Sequence, residues 1–263
     1  MIGIIGCEAL YHEVERLRPE ATVRYVPQEL HEFPVNVPDD DAIREAVQTA
    51  IDELDDPDRD RIVIAYADCI EIDGLQSHHV PLVCTPIDDC VSAVLDRPVS
   101  ETTGERKAAG TYYLTRGTID CGVDGYKLYA AYRNELDDLL ARFEWAREVH
   151  PDLRPTWADG DRFTTVVEGN GRPSQKQIGA VFHEVYGGID RVELVDTGGL
   201  YDLHRDYAEM VRRFIEQLSA EYGDGHEVDL DVVDGDTSRL ERAVSDAPLE
   251  TMEKESVEVY WPR

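Results

Sequence analysis

Short apolar runs without helical periodicity recur along this chain, each followed by a loop and an amphipathic segment. Met1–Gly6, Ile62–Ala67 and Val80–Val83, the last broken by Pro81, are such runs. They are too short for buried helices and too continuous for half-exposed strands, so they read as largely buried strands. Thr22–Val26, Gly110–Gly117, Phe163–Val167, Val192–Val195 and Val228–Val233 have strand composition as well. Between them, apolar residues spaced by three and four predict helices near 8–17, 41–54, 87–95, 126–150, 175–186 (capped by Ser174) and 200–222. Strand, loop and helix in repetition imply an α/β fold with a doubly wound, mostly parallel, Rossmann-like sheet. The 263 residues suit one α/β unit over 1–263 or two similar α/β subdomains, with the boundary expected in the proline-containing loop near 150–162.

The cysteines fall at special places in this pattern. Cys7 ends the first strand, Cys69 and Cys84 stand where the next two buried strands leave the sheet, and Cys90 lies in the first turn of the helix expected over 87–95. In open α/β sheets ligands bind beyond the carboxyl ends of the strands, so these thiols aim at one crevice. Zinc takes roughly four ligands, and a catalytic site leaves one of them open. Three thiolates, or two with His31, His78 or His79, meet that need, and iron is chemically possible too. No CxxC pair occurs, so the signal lies in topology and not in local spacing. The bland alternative is that the thiols are small buried hydrophobes. A further possibility is Cys90 as nucleophile at a helix start, with His79 as base and Asp89 as orienter. Asp196 and Asp234 also end strands, while His12, His150, His183, His204 and His226 read as surface residues. Cys121 falls in the turn-rich IDCGVDG.

Charge excludes some partners. The net charge is -30, spread along the whole chain, and only four of the 26 basic residues are lysine. Such a surface needs concentrated salt to screen its self-repulsion, the situation of halophiles. A nucleic-acid partner would need a basic stripe that is absent. No apolar run approaches the roughly 18 residues of a membrane span, and the N-terminus lacks a signal pattern, so a cytoplasmic protein without a membrane partner is expected. Glycines at EGNGRP and VDTGG form neither GxGxxG nor a P-loop.

The segments IIGCEAL, ELHEFP, IAYADC, PIDDC, GTYYLTRG and VDTGGLYDL, in this order, resemble the prokaryotic domain-of-unknown-function family sixteen thirty-eight. Its members usually show a cysteine after the first strand, a Leu-His-x-x-Pro loop, a Tyr-Gly-x-Cys strand end, a His-Asp-Cys helix start and a Gly-Thr-Tyr-Tyr strand. The likeness runs from about Ile2 to Arg212 and marks Cys7, His31, Cys69 and Cys90, with Asp89 beside the last. This chain departs from it at Ala67-Asp68, where a glycine is usual, and at Asp88, where histidine is common. The family has no established activity, but its genes often stand beside corrinoid-dependent methyltransferases. The resemblance therefore implies a metal-dependent protein, a transferase if it is an enzyme, of one-carbon or corrinoid-linked methyl metabolism. Cys7, Cys69 and Cys90 would be thiolate ligands to zinc or iron, and His31 a fourth ligand or a substrate contact. Asp89, Cys84, His79 and Asp196 would lie beside the ligands or the substrate, a small molecule carrying a thiol or methyl group. The alternatives are a non-catalytic accessory protein that docks a corrinoid or methyltransferase partner, and a hydrolase using the Cys90 nucleophile.

Overall fold

The computed structural model describes residues 1–27, 40–65, 74–84, 90–95, 110–122, 124–158, 175–245 and 258–262. The expected strand Phe163–Val167, the Ser174 cap and the opening of the helix expected from Ile87 lie outside these residues. The fold is α/β, with two mostly parallel sheets. The chain divides into two compact units, passing to the second at 106–107 and returning to the first at 234–235. The 150–162 loop falls within the second unit.

In the first unit, β1 (Ile2–Cys7), β2 (Thr22–Val26), β3 (Arg61–Ala65) and β4 (Leu82–Cys84) are parallel, and β8 (Glu258–Tyr260) joins β4 antiparallel, in the order β2-β1-β3-β4-β8. β1, β3 and β4 are buried at every position, as continuous apolar runs require. Helix α1 (Tyr11–Leu17) follows β1, and α2 (Asp40–Leu54) follows β2. The two glycines of β1 show where these helices lie. A Cβ on Gly3 would meet Leu54 of α2, and one on Gly6 would meet Tyr25 and Val14 of α1. The helices therefore cover opposite faces, the doubly wound arrangement. The apolar stripe of α2 read from the sequence, Ile43, Val47, Ala50, Ile51 and Leu54, is buried throughout. A short helix α8 (Ser238–Ala243) packs near β3. Residues 90–94 form successive turns, with Val94 N–H donating to Val91 O at 3.0 Å, where a regular helix was expected.

The second unit carries β5 (Thr111–Thr115), β6 (Arg191–Asp196) and β7 (Asp229–Asp234), all parallel and in that order. β5 ends early because its last residue starts a helix. The Thr118 N–H donates to Thr115 Oγ1 at 3.1 Å, and the Thr115 N–H donates to Thr118 Oγ1 at 2.8 Å. This reciprocal cap opens α3 (Arg116–Cys121), so Cys121 is a buried helical residue and not part of a turn. The single helix expected over 126–150 is two, α4 (Gly125–Arg133) and α5 (Leu136–Val149). Asn134 between them has φ 59°, a left-handed conformation that asparagine tolerates. The Glu135 N–H then turns back to Ala130 O at 2.8 Å.

Helix α6 (Gln175–Tyr186) and the long α7 (Asp202–Tyr222) complete the unit. The core joins Leu114, Val192 and Leu194 of the sheet to an aromatic set that includes Tyr129, Phe143, Trp157, Phe182, Tyr186, Tyr207 and Phe214. Ring pairs such as Phe143–Trp157, edge-on at 5.0 Å, fix their neighbours' orientation as well as burying area. A Cβ at Gly125 would run into the Tyr186 phenol. Gly125→Ala should therefore lower stability by about 1–3 kcal/mol, the cost of overpacking a filled core. The urea midpoint measures this, and an unchanged midpoint would mean that Tyr186 has another place to go. Among the described residues, no helix is long and apolar enough to cross a membrane.

Candidate functional site

The strand order of the first unit reverses at β1: the chain steps from β1 outward to β2, then returns past β1 to β3. In doubly wound sheets this reversal leaves a crevice at the carboxyl ends of the two strands flanking it. Cys7 is the last residue of β1 and pairs with Val26 of β2. Gly6 pairs with Ala65, the end of β3, and Cys84 ends β4 opposite Ile64. Alternation along the strands puts Cys7 and Cys84 on the same face as Ile5, Ile62, Ile64 and Leu82. All six belong to one apolar cluster with the α2 stripe, and Cys90 packs against its margin. Three of the thiols expected at the crevice thus share one cluster, none of them in a disulfide.

Their register separates their roles. Cys7 and Cys84 stand on either side of β3, about 10 Å apart across the sheet and about 7 Å along it. Thiolates on one zinc lie roughly 2.3 Å from it, so these two cannot share an ion while the strands keep their places. Cys69, which follows β3 in sequence, and Cys90 are the thiols left to join Cys7. Cys69, His31 and Asp89 lie outside the described residues. Among the described residues no three His, Cys, Asp or Glu side chains come together as a metal-binding group.

The remaining candidates fall elsewhere. His79 precedes β4, at the amino-terminal edge of the sheet and not at the carboxyl edge of the cysteines. Its backbone N–H joins those of His78 and Val80 and the Ser77 hydroxyl in donating to Asp55, at 2.6 to 3.2 Å. Burial alone would raise the Asp55 pKa, but these donors together hold it below the ordinary value. Asp196 ends β6 in the second unit, with Asp234 of β7 as its register partner. Its carboxylate accepts from the Gly198 N–H at 2.8 Å and closes the turn there.

The second unit holds a polar cluster that the sequence reading missed. At the carboxyl end of β5, Arg116 is only 2% exposed and Asp120, Lys127 and His204 are fully buried. Arg116 Nε lies 3.4 Å from Asp120 Oδ2, and its other nitrogens donate to Gly199 O at 2.9 Å and Asp152 Oδ2 at 2.8 Å. The Tyr201 N–H donates to His204 Nδ1 at 2.8 Å. The proton therefore sits on Nε2, which faces Asp120 Oδ1 at 3.1 Å. Lys127 Nζ donates to Ile119 O at 2.7 Å and Gly122 O at 2.6 Å, closing the carbonyl end of α3, with Trp157 and Tyr207 rings about it. At the surface end Tyr201 is held between the His150 ring, stacked at 3.7 Å, and the Arg116 guanidinium, and its hydroxyl donates to Asp152. Lys127 thus closes α3, Arg116 reaches the loops at Asp152 and Gly199, and the Asp120–His204 contact joins α3 to α7 beside the end of β5.

His204 was expected at the surface and is buried. The signal for burial is in the sequence: His204 stands three, four and seven positions before Tyr207, Ala208 and Val211, at the head of the buried stripe of α7. A polar residue on such a stripe needs a partner.

The chain matches no curated protein and no solved structure. A family model does match, over residues 25–244, which takes in His31, Cys69, Cys84, Asp89 and Cys90 and begins after Cys7. That span is most of the sequence, and the chain belongs to the family described as "Protein of unknown function (DUF1638)".

Proposed function

We propose that the carboxyl edge of the first unit is a thiolate metal site for zinc or iron, held by Cys7, Cys69 and Cys90. His31 is its fourth ligand or substrate contact, and Asp89 is a hydrogen-bonding partner. The observation that carries this reading is the gathering of Cys7, Cys84 and Cys90 in one cluster beside the β1–β3 strand reversal. The donor set suits it: soft sulfur ligands favour zinc and iron over magnesium or calcium. The surroundings suit it too, because an apolar shell disfavours a bare thiolate and a bound cation is what makes deprotonation favourable there. Cys84, too far from Cys7 to share the ion, lines the crevice. Bound metal would supply Lewis acidity for a substrate thiol or methyl donor. A transferase of one-carbon metabolism, acting on a small molecule or together with a corrinoid protein, is the role in keeping with that chemistry and with the setting beside corrinoid-dependent methyltransferases that the resemblance implies.

Metal analysis of protein purified in concentrated salt without chelator tests the assignment. About one zinc or iron per chain is expected, with Cys69→Ser losing it at least about tenfold more readily while the far-UV spectrum is unchanged. Full retention by Cys69→Ser would sink the ligand set. Absence of metal, with the thiols reactive only after unfolding, would make them core packing and favour the accessory-protein reading.

A further inference from the structure

We propose that β8 is a detachable cover on the thiol edge, and that Cys84 becomes reachable at the side of β4 when β8 lifts. β8 holds the sheet over three register pairs, Leu82–Tyr260, Val83–Val259 and Cys84–Glu258, the one antiparallel pairing among the described strands. It pairs with β4 and with no other described strand, and β4 has only β3 on its other side. Directly opposed residues in an antiparallel pair project from the same face, so Tyr260 stands on the face that carries Leu82 and Cys84. The ring lies diagonally from Cys84, within reach of an aromatic side chain, and it packs against the same apolar cluster as Cys7, Cys84 and Cys90. Trp261 immediately after it is 64% exposed, so the segment turns into solvent as soon as the pairing ends.

Local opening is easiest where few backbone bonds and little buried surface must be given up. β3 is paired on both sides and buried at all five positions, whereas β8 is a three-residue strand paired on one side only, its Tyr260 ring partly buried. Cys84 is 2% exposed while β8 is in place. With β8 away, the β4 edge offers unpaired N–H and C=O groups and the thiol beside them, a lateral entry that also accepts an added strand. The cover bears on the metal site proposed above and rests on that reading for its purpose, but the shielding is measured without metal, so the two fail separately.

The test is iodoacetamide alkylation of metal-free protein, resolved by cysteine with peptide mass spectrometry, on the unaltered chain and on Glu258→Pro. The Ile62 N–H donates to Pro81 O, so alternate residues of β4, Leu82 and Cys84, turn their backbone groups to β8 and exchange hydrogen bonds with Tyr260 and Glu258. A proline at 258 removes one of these N–H donors and breaks the short ladder. Cys84 should react at least about tenfold faster in Glu258→Pro, with Cys7 and Cys121 still protected. An unchanged Cys84 rate overturns the proposal. If Cys7 and Cys121 become reactive as well, the variant has lost its fold and amide exchange of the unaltered chain decides. Amides of 258–260 exchanging at least about a hundredfold faster than those of β3 support the cover, and equal protection overturns it.

Discussion

Raising the pH past 10 should unfold the second unit cooperatively, with loss of helical signal and appearance of tyrosinate in a single transition. Tyr112, Tyr186 and Tyr207 hold their protons well beyond the ordinary tyrosine value of 10.0. Burial is the main cause for each; after it come Tyr186 beside Tyr112, and the Asp124 carboxylate near all three. In the unfolded chain these phenols ionise near pH 10, so above it the unfolded state binds fewer protons than the folded one. Stability then falls with pH, by about 1.4 kcal/mol per unit for each tyrosine and about 4 for the three. Lys127 acts in the opposite direction. Burial lowers its pKa against the pull of Asp124 and Asp120, so the folded state releases that proton first and gains stability as pH rises, up to the ordinary value of 10.5. One lysine offsets one tyrosine over that window and nothing above it. Absorbance at 295 nm and far-UV circular dichroism, followed together in concentrated salt, check the result. Tyrosines that all titrate near 10 while the helical signal persists would contradict it.

Asp120→Ala should cost about 3 kcal/mol of stability or more. Asp120 accepts from the His204 Nε2 proton, and it is an ionic partner of Arg116, which is 2% exposed. Its loss leaves a buried guanidinium and a buried imidazole N–H poorly satisfied, and breaking one side of a buried pair typically costs about 3–5 kcal/mol. Asp152, whose carboxylate also receives Arg116, keeps the expected cost at the low end. Asp120→Asn retains an acceptor for His204 and should lose roughly half as much. Urea unfolding followed by tryptophan fluorescence reads both, since Trp157 packs beside Lys127 in the same core. A loss under about 1 kcal/mol for Asp120→Ala would mean that water or a neighbour replaces the carboxylate without penalty.

Much of the scaffold was legible from sequence because it rests on local pattern. The short apolar runs mark β1, β3 and β4 as buried strands, and the strand composition of Val192–Val195 marks β6, so Cys7, Cys84 and Asp196 fall at strand ends. The α2 and α7 stripes follow from the spacing of apolar residues on a helix. These features depend on a few neighbouring residues and so survive without knowledge of the partners.

What only the tertiary structure decided depends on contacts between distant parts of the chain. The order β2-β1-β3-β4 makes the β1 end a switch point, while Asp196, equally at a strand end, belongs to a different sheet. Register alone shows that Cys84 stands too far across β3 from Cys7 to share an ion. The left-handed turn at Asn134 splits a helix whose apolar spacing runs on without a break. His204 lies on a stripe that any reading of α7 contains, but its burial is tolerable only because Asp120, eighty-four positions away, and Tyr201 meet its two nitrogens. β8 escaped notice for a related reason: three residues carry too little pattern to stand out, and they become a strand only because β4 has an edge to offer.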